Sequence, residues 1–239
     1  MAAGNLITNR VERGDLGEAY DAAKELAVRR PQSGTAHFVL SYVLRYAGVL
    51  DRAAGECDMA LALDPGNFEF RSCAWVFLEQ GRAERAMDFI RLDAGSEWAT
   101  FMIPQVLLRE GKIESARAAV GKVSNNNAVY QPDLFESCLA PRPGAEPEST
   151  ARKAEAAIVA EPDPEPHYYH GALLAFCGQM EEATELIHSG IEKNYCASTA
   201  LRTDPLLAKL RPTAAFAGLA SSASDCQRKF RASIHQPLP

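Results

Sequence analysis

A six-residue unit that opens on Gly and closes on Ala recurs along most of this chain: GDLGEA at 14–19, GVLDRA at 48–53, GRAERA at 81–86, GKIESA at 111–116 and GQMEEA at 178–183. The glycines stand 34, 33, 30 and then 67 residues apart, and 67 is two periods. The period places a sixth glycine near residue 144 or 145, and Gly144 is there, in APRPGAEPE. Self-similarity at a fixed period of this length marks a repeat architecture in which each unit buries its apolar face against the next.

The chemistry of the unit is that of a helix–turn–helix. Apolar stretches such as HFVLSYVLRYA and WVFLEQ run into the glycine, which ends a helix at little cost because it can take the left-handed conformation. In four of the five stretches an Asp or Glu follows three residues later, where it suits the positive end of the next helix. The Ala lies one turn into that helix, and its small side chain lets two antiparallel helices approach to roughly 8–10 Å. RRPQSG at 29–34 and LDPGN at 63–67 close the second helix, and Pro31 and Pro65 are again 34 apart.

A 34-residue helix–turn–helix with Gly at its turn, Ala in its second helix and Pro at its close resembles the tetratricopeptide repeat (TPR), best over residues 35–66. The resemblance implies an all-α, right-handed α-solenoid. Its six repeats span about 1–33, 34–66, 67–96, 97–129, 130–163 and 164–197. Some segments depart from the motif. Repeat three ends early in LDAGSE, Pro104 falls within a helix, which it should kink or begin, and repeat five turns through the proline-rich PRPGAEPE. The EPDPEP run at 161–166 reads as the turn between repeats five and six.

Residues 198–239 form a different segment, of capping helices and tail. TDPLLAKLRP at 203–212 reads as a short helix with Thr203 or Asp204 at its N-cap. A longer helix follows near 213–232, with Phe216, Leu219, Ala223, Cys226 and Phe230 on one face at helical spacing. One apolar face and one wet face are what a capping helix needs, and the closing HQPLP reads as a disordered tail. EPHYYHGALLAFCGQ, IEKNYC and TDPLLAKLR also resemble the C-terminal end of TPR arrays in bacterial signalling proteins. That likeness implies a regulatory sensor region working with a kinase or a winged-helix transcription regulator, as an alternative to a freestanding adaptor.

Composition narrows the partners. A net charge of -6 disfavours direct binding to nucleic acid. No apolar run approaches the roughly 20 residues of a membrane span, and the N-terminus lacks the pattern of a signal peptide. The six cysteines are scattered singly, without a close Cys-x-x-Cys pair, so they are expected to be free, buried and apolar in a reducing cytoplasm.

Motifs for chemistry are missing: the chain has no G-x-S-x-G, P-loop, H-E-x-x-H or G-x-G-x-x-G sequence. His167 and His170 are spaced for one helix face, yet no ligand-rich segment accompanies them, and His37 reads as structural. The expectation is a non-enzymatic chain, with no cofactor and no metal, that binds a protein or peptide. In a TPR stack the first helix of each pair lines the concave groove. That placement selects Phe38, Tyr42 and Arg45, then Arg71 and Trp75, then Phe101, Gln105 and Arg109, and finally Tyr168. Aromatics with arginine are the types enriched at binding hot spots, and an extended peptide or a helix could lie along them. The TPR subclass that grips a C-terminal carboxylate uses lysines and asparagines at these positions. Phe38, Tyr42, Arg71 and Trp75 stand there instead.

Overall fold

A computed structural model describes residues 2–123, 134, 138, 139 and 146–235, and all the regular structure among them is helical. Antiparallel pairs follow one another: α1 (Ala2–Glu12) with α2 (Leu16–Arg29), and α3 (Gly34–Tyr46) with α4 (Leu50–Leu63). A 3-10 turn, Phe68–Ser72, leads into α5 (Cys73–Glu79), which pairs with α6 (Ala83–Ile90). Next come α7 (Glu97–Arg109) with α8 (Ile113–Val120), then α9 (Pro147–Val159), and α10 (Pro164–Cys177) with α11 (Met180–Glu192). The chain ends in the short α12 (Ala200–Thr203), a 3-10 turn at Pro205–Lys209, and α13 (Ala214–Ser233).

The repeated unit is built the same way five times. Gly14, Gly48, Gly81, Gly111 and Gly178 all have positive φ. At Gly48, the glycine N–H donates to Arg45 O and the Val49 N–H reaches back to Leu44 O, both at 2.9 Å. The same two bonds recur at the other four glycines, and together they satisfy carbonyls that the end of a helix would leave unpaired. The alanine five residues on is fully buried every time, at Ala19, Ala53, Ala86, Ala116 and Ala183. Side-chain caps start several helices: Ser33, Ser96, Asp163 and Asp204 accept from Ala36, Ala99, Glu165 and Leu206 N–H respectively. Asp204 is thus the cap of the short turn after residue 203, and α7 runs from its cap at Ser96 through Pro104 to Arg109.

The pairs do not leave an open trough between them. The last pair meets the first ones: Arg45 on α3 is paired with Glu165 on α10, and Trp75 on α5 stacks on Tyr169 of α10 at 5.1 Å. Residues 195–209 then pack along α3, α7 and α10, with Arg202, Thr203, Pro205, Ala208 and Lys209 on the surface. Cys196 N–H donates to Tyr46 O at 2.7 Å. Tyr195, Leu206 and Leu207 are buried there. Finally α13 lays Leu219, Ala223, Cys226 and Phe230 against α11 and α2, so it spans the last pair and the first. A single apolar cluster extends from Ile7 to Phe230.

Two sequence expectations are corrected. The cysteines are not free: Cys57–Cys73, Cys138–Cys177 and Cys196–Cys226 are disulfide-bonded, and no free cysteine remains. Partners 16, 39 and 30 residues apart do not form a close-pair motif, and the packing of segments distant in sequence brings them together instead. The cytoplasmic location falls with that expectation, because such bonds persist in oxidising compartments and are rare where thiols are kept reduced. Among the described residues no helix is long and apolar enough to cross a membrane. Gly144, most of the first helix of repeat five and the tail beyond residue 235 lie outside the described residues.

Candidate functional site

The nine residues selected from the sequence separate into two environments. Arg45, Trp75, Phe101, Gln105, Arg109 and Tyr168 are buried, whereas Phe38, Tyr42 and Arg71 reach solvent in part.

The buried six are engaged by the chain itself, although Gln105 Nε2 and Arg109 Nε are enclosed without a hydrogen-bond partner. Trp75 is covered by Tyr169 on one face and meets Phe101 edge-on. Gln105 Oε1 accepts from Arg109 Nη1 at 3.0 Å, and Arg109 Nη2 donates to Asp204 at 2.7 Å. The Tyr168 hydroxyl donates to the same Asp204 oxygen at 3.2 Å. Arg45 donates to the Tyr195 hydroxyl at 3.1 Å, which in turn donates to Glu79. Burial pushes the Glu79 carboxyl up to about 8, against the opposing pull of Arg45 and the Tyr195 bond. The positions that line the groove of an open array are here the interior, occupied by α10 and residues 195–209.

The other three stand on one cleft of about 450 Å³. Its sides are α1, α3 and the 3-10 turn, and it is completed by Trp98 from the start of α7 and Glu165 from the start of α10. The turn forms because Asn67 caps it, its side chain accepting from Glu69 N–H at 3.0 Å. Phe68, the first residue after that cap, is 54% exposed. Arg71 lies over the Phe68 and Trp98 rings, 5.6 and 5.5 Å from their centroids, and pairs with Asp93 at 3.2 Å. Phe38 packs its ring against Phe70 at 5.4 Å and against Tyr42 at 6.3 Å.

A carboxyl-rich floor underlies the Tyr42 end. The Tyr42 hydroxyl donates to Glu12 at 3.2 Å and lies 3.1 Å from the Tyr46 hydroxyl, which donates to Asp163 at 2.9 Å. Glu12, Asp163 and Glu165 are all held above the ordinary carboxylate range. Burial is the main cause in each, followed by repulsion from a neighbouring carboxylate in Glu12, and opposed most strongly by Arg45 in Glu165.

The sequence alone pointed to neither Phe68 nor Trp98. Phe68 follows LDPGN directly, and an apolar aromatic immediately after a polar turn was the available signal. Among the described residues no group of His, Cys, Asp or Glu is arranged to hold a metal ion. His37 is engaged by Glu56 at 2.6 Å and by Pro31 O at 3.0 Å. His167 is engaged by Ser189 at 3.1 Å and by Glu161 O at 3.0 Å. No family model matches the chain, and no curated protein is significantly similar to it.

Proposed function

We propose that this chain is a non-catalytic protein-binding module, and that its partner docks an extended segment or a helix into the cleft between α1, α3 and the Phe68–Ser72 turn. The observation that carries the reading is the exposed Phe68 beside the half-buried Phe38, Tyr42 and Trp98. Aromatic residues that keep accessible surface beside a concave site are the usual anchors of an interface. The helix pairs are read as TPR units wound in a right-handed solenoid. The five glycine caps and five buried alanines support that reading. The docking surface differs from the groove of an open solenoid, since the inner helices are already covered by the chain's own last pair.

The test is selection from a displayed library of random peptides, each roughly a dozen residues long to match an extended or helical docking segment, followed by binding to two variants, Phe68→Ala and Thr35→Arg. Phe68 is exposed and Thr35 lines the cleft, so both variants are expected to keep the helical circular dichroism while selected peptides lose at least tenfold in affinity. Peptides that bind both variants as tightly as the parent would overturn the assignment of the cleft.

A further inference from the structure

We propose that the cleft selects an arginine side chain of the docked segment, and that Glu165 is the carboxylate that receives its guanidinium. This rests on the cleft being the docking site, and it names the chemistry of what docks there.

Three observations converge on a cation. The first is the state of Glu165. Its side chain keeps 17% of its surface exposed and lines the cleft. Arg45 and the Tyr46 hydroxyl both engage Oε2. Among the described residues no group donates to Oε1, and this oxygen is not among the enclosed polar atoms left without a partner. It therefore keeps some contact with solvent. A carboxylate oxygen partly withdrawn from water gains most from a charged donor.

The second is the balance of charge behind it. Asp163 and Glu12 stand beside Glu165, and Arg45 is the cation among them. Three carboxyl groups stand here against one guanidinium, so the floor is rich in acceptors, which a basic segment can use and an acidic or phosphorylated one cannot.

The third is the wall. Phe38 and Tyr42 line the cleft together with Glu165, and aromatic faces attract cations, as the Tyr42 ring already does with Arg45 at 5.0 Å. The other side of the cleft already holds a guanidinium in this manner, Arg71 lying over Phe68 and Trp98 with Asp93 as counter-ion. An incoming arginine at Phe38, Tyr42 and Glu165 repeats that arrangement within the same cleft. The planar guanidinium suits it better than an ammonium, because it stacks on a ring while donating in its own plane. The volume of about 450 Å³ accommodates one long side chain and the backbone that carries it.

The experiment uses the tightest peptide from the random library. Selected peptides are expected to share an arginine, and replacing it by its neutral isostere citrulline is expected to weaken binding at least tenfold. Lysine in its place is expected to weaken binding severalfold. In Glu165→Gln the difference between arginine and citrulline collapses. Because that substitution removes a partner of the buried Arg45, Phe38→Leu serves as a second variant that keeps the bulk of the wall, and it is expected to narrow the same difference. Selected peptides that occupy the cleft without an arginine overturn this inference and leave the docking reading intact. So does a lysine peptide binding as tightly as its arginine parent, or an arginine preference unchanged in both variants. A library that yields no cleft-binding peptide overturns both.

Discussion

Arg109 and Asp204, 95 residues apart in sequence, form an ion pair at 2.7 Å with both side chains wholly enclosed. One lies at the end of α7 and the other caps the 3-10 turn at Pro205–Lys209. Tyr168 and the Leu206 N–H also donate to this carboxylate, so its charge is well supported.

Removing one partner of such a pair strands the other. Arg109→Met is expected to cost about 3–5 kcal/mol, the usual penalty for leaving a buried charge uncompensated. The double variant Arg109→Met/Asp204→Asn is expected to recover part of that loss. Urea unfolding of the parent, the single variant and the double variant measures both. Equal stability for single and double variants would mean that the two side chains are not energetically coupled.

Disulfide pairing makes a compartment prediction that is simple to read. Native protein treated with iodoacetamide in strong denaturant, without reductant, is expected to take up no label. Six labels are expected after reduction, one for each cysteine in the chain. Cys196→Ser/Cys226→Ser opens the link that holds α13 beside residue 196. Its loss is expected to lower stability by about 3–4 kcal/mol on the loop-closure estimate for a span of this length.

Stability is expected to decline as pH rises from the acidic range toward 8. The Glu79 carboxyl titrates near 4.5 when exposed and at about 8 in the fold, chiefly because it is buried. Between those values the native state holds more protons than the unfolded chain, so raising the pH favours unfolding. Glu12, Asp163 and Glu165 are shifted in the same direction and steepen the acidic end of the slope. Glu79→Gln is neutral at every pH, so its urea midpoint is expected to fall less steeply across the window from about pH 5 to just above pH 8. Parallel curves for parent and variant would refute the role of this carboxyl.

Two turn glycines of similar conformation are expected to respond unequally to alanine. Gly48 and Gly111 have φ of 71° and 72°. A Cβ at Gly111 meets open space, whereas one at Gly48 falls against Cys196 O, far inside contact distance. Gly111→Ala is expected to cost about 1 kcal/mol, the backbone strain alone. Gly48→Ala must also displace the crossing segment and is expected to cost substantially more. Thermal melts of the two variants give the comparison.

The helix pairs were legible because they are local. Gly48 and Ala53 announce a turn and a close helix approach whatever surrounds them, and the same holds at the other four units. Asp204 as a cap and the apolar face of α13 were legible for the same reason. What the periodicity could not carry was which distant segments meet. Trp75 occupies a groove position by register, yet Tyr169 of α10 stacks on its face. Cys196 and Cys226 meet only because α13 returns across α11 and α2. Phe38, Tyr42 and Arg71 kept access to solvent because they stand on the cleft, which α10 reaches only at Glu165.

The backbone bond from Cys196 to Tyr46 has a consequence for biosynthesis. In a linear array each unit leans only on its neighbours, so early repeats can settle while later ones are still being made. Here Arg45, Glu79 and Arg109 receive partners from residues 195 to 204. A ribosome that has not yet released Tyr195 therefore carries a trench of unmatched charge. The emerging chain cannot complete its first half until its last fifth arrives, so its closing segment serves as part of the early helices' packing rather than as an end cap alone.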